Sequence, residues 1–375
     1  MSSNVITLGV PRTSVMVAAI RALISNSYVK DQLATVPTDE SSQLIFKLNS
    51  SLQSYYENIY QKEPFSAKVL DSSIATFDPY AYFFSCTDES RDIIGGMYDA
   101  RMKMNPQQTA TTDTVKEWLV KMGLPADTTI QDMKKYLTET CSPVKAWSII
   151  IFPYISTRIA LRTKYIDDYI TSKIGKYQQF VILGAGLDTR ALRLPFDERS
   201  TVWEIDFPQT FEYKSRVLEE ATKIVAPLSK AKNIHIPSNL METEQWIKKL
   251  EESGFDRSKP TVWLLEGLLM YLSIEEIELL LSSASSLSSS GSVMLIQTTQ
   301  DIKLEENDKR RVFASPLRAE FKSFTNTPSL YLEKCGFSVD INEKSQEDIL
   351  QIYCNKSILP TEIVDSTIFT IGNKF

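Results

Sequence analysis

Gly184, Ala185 and Gly186 end the apolar run FVILGAG (180–186), and Glu204 and Asp206 close a second such run, TVWEID (201–206). A strand that stops on Gly-x-Gly can turn tightly and let a ligand come close to the backbone. A helix starting just after Asp188 or Thr189 would aim free N–H donors at that ligand. The two carboxylates, eighteen and twenty residues after Gly186, stand where the hydroxyls of a ribose could be held. The plainer alternative is a pair of solvated carboxylates at a strand end. Thr189 falls where G-x-G-x-x-G would have its third glycine, so the fingerprint of a nicotinamide dinucleotide site is incomplete.

Later strand ends extend the constellation. In NIHIPSNL (233–240), Asn239 offers an amide to an adenine edge and Leu240 an apolar face. Glu266 ends the apolar strand of TVWLLEGLLMYL (261–272), where a carboxylate without a partner is costly. The amino group of a ligand would satisfy it, and so would a structural ion pair. Arg162, in ALRTKYIDDYI (160–170), has the guanidinium fork that suits a carboxylate, or it is an exposed helical arginine. His235 is the single histidine. That excludes a poly-histidine metal site and makes any Ser-His-Asp or Cys-His engine depend on one residue. Its place inside a short strand fits a structural role better.

Such groups need strands and helices in alternation to bring them together, and the chain supplies these from about residue 146. A long helix (155–175) stopped by Gly175 leads into the strand 180–186, and four more strands follow at 201–206, 233–240, the start of 261–272, which then runs into a loop, and 292–299. Between them lie helical patterns at 207–221, 241–254 and 273–287, the last opened by Ser273 with Glu276 in a capping box. This succession predicts a doubly wound, mostly parallel α/β sheet with right-handed crossovers. Residues 1–145 read differently. Helical patterns at 14–24, 41–60, 113–123 and 124–137 form no series with strands. We therefore expect a helical covering region over 1–145 and the ligand-binding core over 146–375. Phe77, Tyr80, Tyr82, Phe83 and Phe84 could line an acceptor pocket beneath that cover, although aromatic clusters more often serve as core.

Bulk properties narrow the function classes. With 43% apolar and 23% charged residues the chain can bury a sizeable core. Its net charge of −6 disfavours extended contact with nucleic acid. No run reaches the ~18 apolar residues of a membrane span, and the N-terminus has no secretory pattern. The four cysteines, Cys86, Cys141, Cys335 and Cys354, include no CxxC pair. These features predict a cytoplasmic protein with reduced thiols and no membrane or nucleic-acid partner.

Three segments, ILGAGLDTRALRL (182–194), VWEIDFPQTFEYK (202–214) and VWLLEGLLMYLSIEEIELLL (262–281), resemble the leucine carboxyl methyltransferase family in order and spacing. ALRTKYIDDYI and FDPYAYFF (77–84) resemble it too, so the likeness covers about 78–290, with a weaker echo in TSVMVAAIRA (13–22). The resemblance implies a class I methyltransferase fold, a helical N-terminal cover, and S-adenosyl-L-methionine as methyl donor. Carried over position by position, it puts Arg162 on the cofactor carboxylate, Gly184 at the methionine–ribose turn and Asp206 on the ribose hydroxyls. Asn239 and Leu240 would flank the adenine, and Glu266 would lie near the methionine end. Ala185, Gly186, Asp188 and Glu204 complete the expected cofactor-binding set, with Arg162 and Glu266 positioning and no catalytic base singled out.

The chain departs from the family at several points, the long stretch between DPYA and ALRTK among them. Asn239-Leu240 replaces the usual Asp-Leu, and the stretch SVMVAAIRA has no lysine of the kind the phosphatase-directed members place in the N-terminal helix, though Arg21 is nearby. The motifs look closer to the bacterial-type branch, which includes small-molecule O-methyltransferases. The expected reaction is methylation of a carboxylate or hydroxyl on a small molecule, polyketide-like compounds included. The alternatives are methylation of a phosphatase's C-terminal leucine, hydride transfer with a nicotinamide cofactor, and non-catalytic nucleotide binding.

Overall fold

The computed structural model describes residues 11–34, 50–62, 71–104, 128–151, 153–305, 311–312, 320–339, 343–355 and 363–375. Its centre is a seven-stranded sheet made of β1 (Gln179–Leu183), β2 (Thr201–Asp206), β3 (Lys232–Pro237), β4 (Thr261–Leu265), β5 (Val293–Thr299), β6 (Glu343–Ser345) and β7 (Thr367–Asn373). The strands lie in the order β3-β2-β1-β4-β5-β7-β6. Neighbours from β3 to β5 are parallel, while β7 runs antiparallel to both β5 and β6. The doubly wound, mostly parallel sheet is therefore as expected. β1, β4 and β5 are buried along their whole length, as central parallel strands covered on both faces must be.

Alternate strand residues divide between two apolar layers. Phe180, Ile182, Val202, Val262, Leu264, Val293 and Leu295 face the N-terminal helices. Val181, Leu183, Trp203, Ile205, Trp263, Leu265 and Met294 face the other layer. The N-terminal helices are α1 (Pro11–Ala34), α2 (Ser50–Tyr55), α3 (Ala81–Ser85), α4 (Asp88–Met104), α5 (Ile130–Lys135) and α6 (Pro143–Ile150). α7 (Pro153–Lys173) then leads into β1, and α8 (Arg190–Arg193) and α9 (Pro208–Ile224) follow β1 and β2. Along the rest of the chain come α10 (Thr243–Glu252), α11 (Ile274–Ser286), α12 (Ser329–Lys334) and α13 (Gln346–Cys354).

Several local readings hold in detail. Ser273 and Glu276 form the expected capping box on α11, and Gly175, at φ +82°, follows the end of α7. The helix read at 14–24 extends over Pro11–Ala34. Of the helix read at 41–60, only 50–60 is described, and its last turn is a π-helix at Tyr56–Tyr60. The helix read at 113–123 lies outside the described residues. β3 stops at Pro237, which leaves Asn239 and Leu240 in the turn beyond it.

The chain leaves β1 toward β3 and returns to β4 on the other side of β1. Adjacent strands thus diverge in connection between β1 and β4, and in an open α/β sheet their C-terminal ends form the ligand crevice.

Candidate functional site

Gly184 and Ala185 donate their N–H groups to Ile205 O at 2.9 and 3.2 Å, which lashes the loop after β1 to β2. Gly186 N–H donates to Asp206 Oδ2 at 2.7 Å, and Phe207 N–H donates to Asp206 Oδ1 at 2.7 Å. Burial pushes the Asp206 carboxyl up, and the bonds from Gly186, Phe207 and the Thr210 side chain only partly oppose the rise. Gly184 (φ +67°) and Gly186 (φ +49°) both use the left-handed region. A Cβ on Gly184 would stand 2.9 Å from Leu268 Cδ1, and one on Gly186 would stand 3.3 Å from Ser14 Cβ. The first turn of α1 therefore lies over the glycine loop.

On the far side of the crevice, Glu266 follows β4 and meets three arginines. Arg162 Nε is 2.6 Å from its Oε1, Arg21 Nη2 is 3.2 Å from the same oxygen, and Arg190 Nη1 donates to Oε2 at 2.6 Å. Burial alone would raise the Glu266 carboxyl, but Arg190, Arg162 and Arg21 outweigh it and hold the group well below the usual carboxylate range. The Arg162 pKa is lowered as well. Burial lowers its pKa, Glu266 raises it, and the like charges of Arg21 and Arg190 lower it further, leaving a net decrease.

Arg190 is the hub of a larger buried network. Its guanidinium also holds Asp188, and its Nε donates to Asp167 Oδ1 at 2.7 Å. Arg193 grips the same Asp167 through two bonds of 2.6 and 2.8 Å. Burial raises the Asp188 carboxyl, but Arg190 and Arg21 lower it more. Asp188 therefore braces Arg190 rather than presenting a free carboxylate to a ligand.

Glu204 needs a correction. It is fully buried, pairs with Lys214 of α9, and lies 3.5 Å from His235 Nε2. One alternate position back along β2, it is enclosed by that helix, so only Asp206 stands at the strand end. His235 stacks on Phe211 at 4.5 Å, and burial together with Lys214 pushes its pKa down to about 4. This is the structural role expected of it.

Asn239 Oδ1 accepts from Met241 N–H at 3.1 Å, which shapes the turn after β3. Trp246 Nε1 donates to Leu240 O at 3.1 Å and fixes that turn from below. Asn239 and Leu240 are thereby set just beyond β3, at the same sheet edge as Asp206. The aromatic cluster is core. Tyr80 and Phe84 are buried, Tyr80 Oη donates to Val225 O at 3.1 Å, and Phe77 stacks on Tyr28 and edges onto Tyr55.

Arg190, Arg193, Asp167 and Lys214 are charged residues whose roles sequence reasoning left out, and Arg21 entered it only as a neighbour of the family's lysine position. The available signal was charge placed within apolar periodicity, as with Asp167 in KYIDDYI and Arg21 in VAAIRALI.

The comparisons fit this arrangement. A relative from Mycobacterium marinum, named "Putative S-adenosyl-L-methionine-dependent methyltransferase", is 41% identical over 139 residues, which are 37% of this chain and 44% of the relative. A relative of the same description from Mycobacterium tuberculosis is 34% identical over 160 residues, 42% of this chain and 49% of the relative. The chain thus spans about half the length of the curated relatives it matches. A solved O-methyltransferase family protein from Burkholderia thailandensis aligns over 97% of this chain and 94% of its own, at 12% identity and a TM-score of 0.37. The family model described as leucine carboxyl methyltransferase matches residues 94–285, just over half of the sequence. This match includes the glycine loop, Asp206 and the arginine-bound Glu266, and the chain belongs to the leucine carboxyl methyltransferase family.

Proposed function

We propose that this chain is an S-adenosylmethionine-dependent methyltransferase acting on an oxygen of a small molecule, with a carboxylate as the acceptor. The observation that carries the proposal is the sharing of one carboxylate, Glu266, by Arg21 and Arg162. A buried charge without its own counter-ion is costly. Arg21 Nε and Arg190 Nη2 are also buried without a hydrogen-bond partner. A zwitterionic amino-acid end fits such a place. Its carboxylate would satisfy Arg162 and Arg21 while its ammonium turns to Glu266, and the total charge stays unchanged. Asp206 would take the ribose hydroxyls, the backbone of Gly184, Ala185 and Gly186 would approach the sugar, and Asn239 and Leu240 would hold the adenine.

When bound, S-adenosylmethionine supplies a sulfonium-activated methyl group for in-line displacement by the acceptor oxygen. The protein's part is alignment and exclusion of water, and good alignment can lower such a barrier by ~7–11 kcal/mol. Three ionisable residues near this edge are not tuned as a base. Glu266 is pinned by arginines. Burial holds the Tyr271 phenol above its ordinary pKa, so it stays protonated. His235 is engaged with Phe211 and Glu204. A carboxylate is already ionised at neutral pH and needs no proton removed, which supports it over a phenol of pKa ~10.

In this reading residues 1–145 cover the site and 146–375 carry the cofactor. Among the described residues no single helix is long and apolar enough to cross a membrane, and we assign the protein to the cytoplasm as part of the same proposal.

Calorimetric titration with S-adenosylmethionine, S-adenosylhomocysteine and NAD in parallel tests the cofactor. Binding of the first two alone is expected, and binding of NAD alone would overturn the proposal. A product screen with small carboxylic acids, phenols and a leucine-ended peptide then tests the acceptor, and turnover of phenols alone would overturn the carboxylate assignment.

A further inference from the structure

Asp78 lies far from the crevice in sequence, is 1% exposed, and takes no direct part in the arginine cluster around Glu266. Its backbone and side chain face two different elements. Asp78 N–H donates to Ser25 Oγ at 2.8 Å, and that hydroxyl lies 2.8 Å from Arg21 O and 3.1 Å from Asp78 O, either of which can accept its proton. Asp78 is thereby fixed to the turn of α1 that carries Arg21. On its other side, Thr189 Oγ1 donates to Asp78 Oδ1 at 2.8 Å, and Arg193 Nε stands 3.6 Å from Oδ2. Thr189 opens α8, and the next residue is Arg190, which holds both Glu266 and Asp188. The contacts form a closed circuit: Glu266 to Arg21, along α1 to Ser25, across to Asp78, on to Thr189, and through Arg190 back to Glu266.

We infer that Asp78 is a positioning residue that makes the docking of α1 and the occupation of the cofactor site a single event. The cofactor half of this inference rests on the function proposed above. A ligand carboxylate drawn to Arg21 and Arg162 pulls on α1. The position of α1 is transmitted by Asp78 to Thr189, and so to the arginine that orients Glu266. Pro79 restricts Asp78 to an extended backbone, so the residue cannot follow one partner and abandon the other at little cost.

Thr189→Val keeps the shape of the residue and removes its hydroxyl, Thr189→Ser restores the hydroxyl, and Asp78→Asn removes the charge. Each variant is to be tested for S-adenosylhomocysteine binding by calorimetry and for backbone amide exchange, with circular dichroism to confirm the fold. In the unaltered protein the ligand should slow exchange in residues 14–29. In Thr189→Val affinity should fall about tenfold, as for loss of one buried hydrogen bond to a charged group, and the slowing in α1 should disappear. Thr189→Ser should recover both. A folded Thr189→Val protein with affinity within about twofold of the original and full ligand-induced slowing in α1 would overturn the inference.

If the unaltered protein binds no S-adenosylhomocysteine, the proposed function fails, and the ligand-free exchange decides the linkage. Faster exchange in 14–29 and 77–85 of Thr189→Val and Asp78→Asn, with β1–β5 unchanged, supports the circuit. Unchanged exchange in α1 of both variants overturns it.

Discussion

The backbone N–H of Gly186 donates to Asp206 Oδ2 at 2.7 Å, so the loop that ends β1 and the carboxylate that ends β2 form one unit. An ionised carboxylate has about four lone-pair sites. Gly186, Phe207 and the Thr210 side chain use three of them, so a ribose hydroxyl can still join without breaking the loop contact. Asp206→Ala therefore removes a ligand contact and a loop anchor together. We expect S-adenosylhomocysteine binding to weaken by roughly 1–3 kcal/mol, measured by calorimetry on folded protein. Unchanged affinity would remove Asp206 from the site.

Glu266→Gln leaves Arg21, Arg162 and Arg190 around a neutral amide. Removing one partner of a buried ion pair typically costs 3–5 kcal/mol, so the unfolding free energy in urea should drop by about that amount. A loss below about 1 kcal/mol would mean that the arginines have other anions within reach.

His235 makes stability depend on pH in a predictable direction. Its pKa falls from 6.5 to about 4 on folding, so the unfolded chain binds more protons between those values. Stability from this residue is lost as pH falls from 6.5 toward about 4. Asp206 and Glu204, whose pKa values folding raises, act in the opposite sense as pH falls through them. The comparison that isolates His235 is with His235→Phe, which keeps an aromatic ring against Phe211. Urea unfolding at pH 7 and pH 5 should show the variant losing less stability on acidification than the parent, and equal losses would refute the assignment.

Gly184→Ala should both strain the loop and push on Leu268, since φ is +67° and the added Cβ would lie 2.9 Å from Leu268 Cδ1. Left-handed strain at a non-glycine residue costs about 1–2 kcal/mol, and the thermal midpoint should fall accordingly. Adding Leu268→Ala should relieve the clash while leaving the strain, so recovery in the double variant should be partial. Full recovery would show that only the contact mattered.

How far the sequence revealed this site depended on whether a residue's partners were local. The strands were visible because FVIL, TVWEI and VWLL are apolar runs with defined ends, and Gly184, Asp206 and Glu266 stand at those ends. Glu204 looked equivalent to Asp206, because nothing in the linear order shows that Lys214 closes over one and not the other. Arg190 was passed over for a related reason. α8 has only four residues, too few for a periodic pattern to show which side is buried. The pairing of Asp167 with Arg190 and Arg193 spans separate helices and becomes apparent only when they pack.

β7 lies between β5 and β6, yet it follows both of them along the chain. Along β5, every residue from Val293 to Thr299 is buried and registers with β7 from Asn373 to Thr367. During synthesis, β1 to β5 emerge well before this partner does. Until Asn373 clears the ribosome, the outer edge of β5 is a row of open backbone hydrogen-bonding groups, the kind of edge that recruits strands from other chains. Pairing with β7 is what covers that edge of the sheet. A chain cut short before Thr367 would keep the glycine loop, Asp206 and Glu266 in its sequence and still be prone to aggregate.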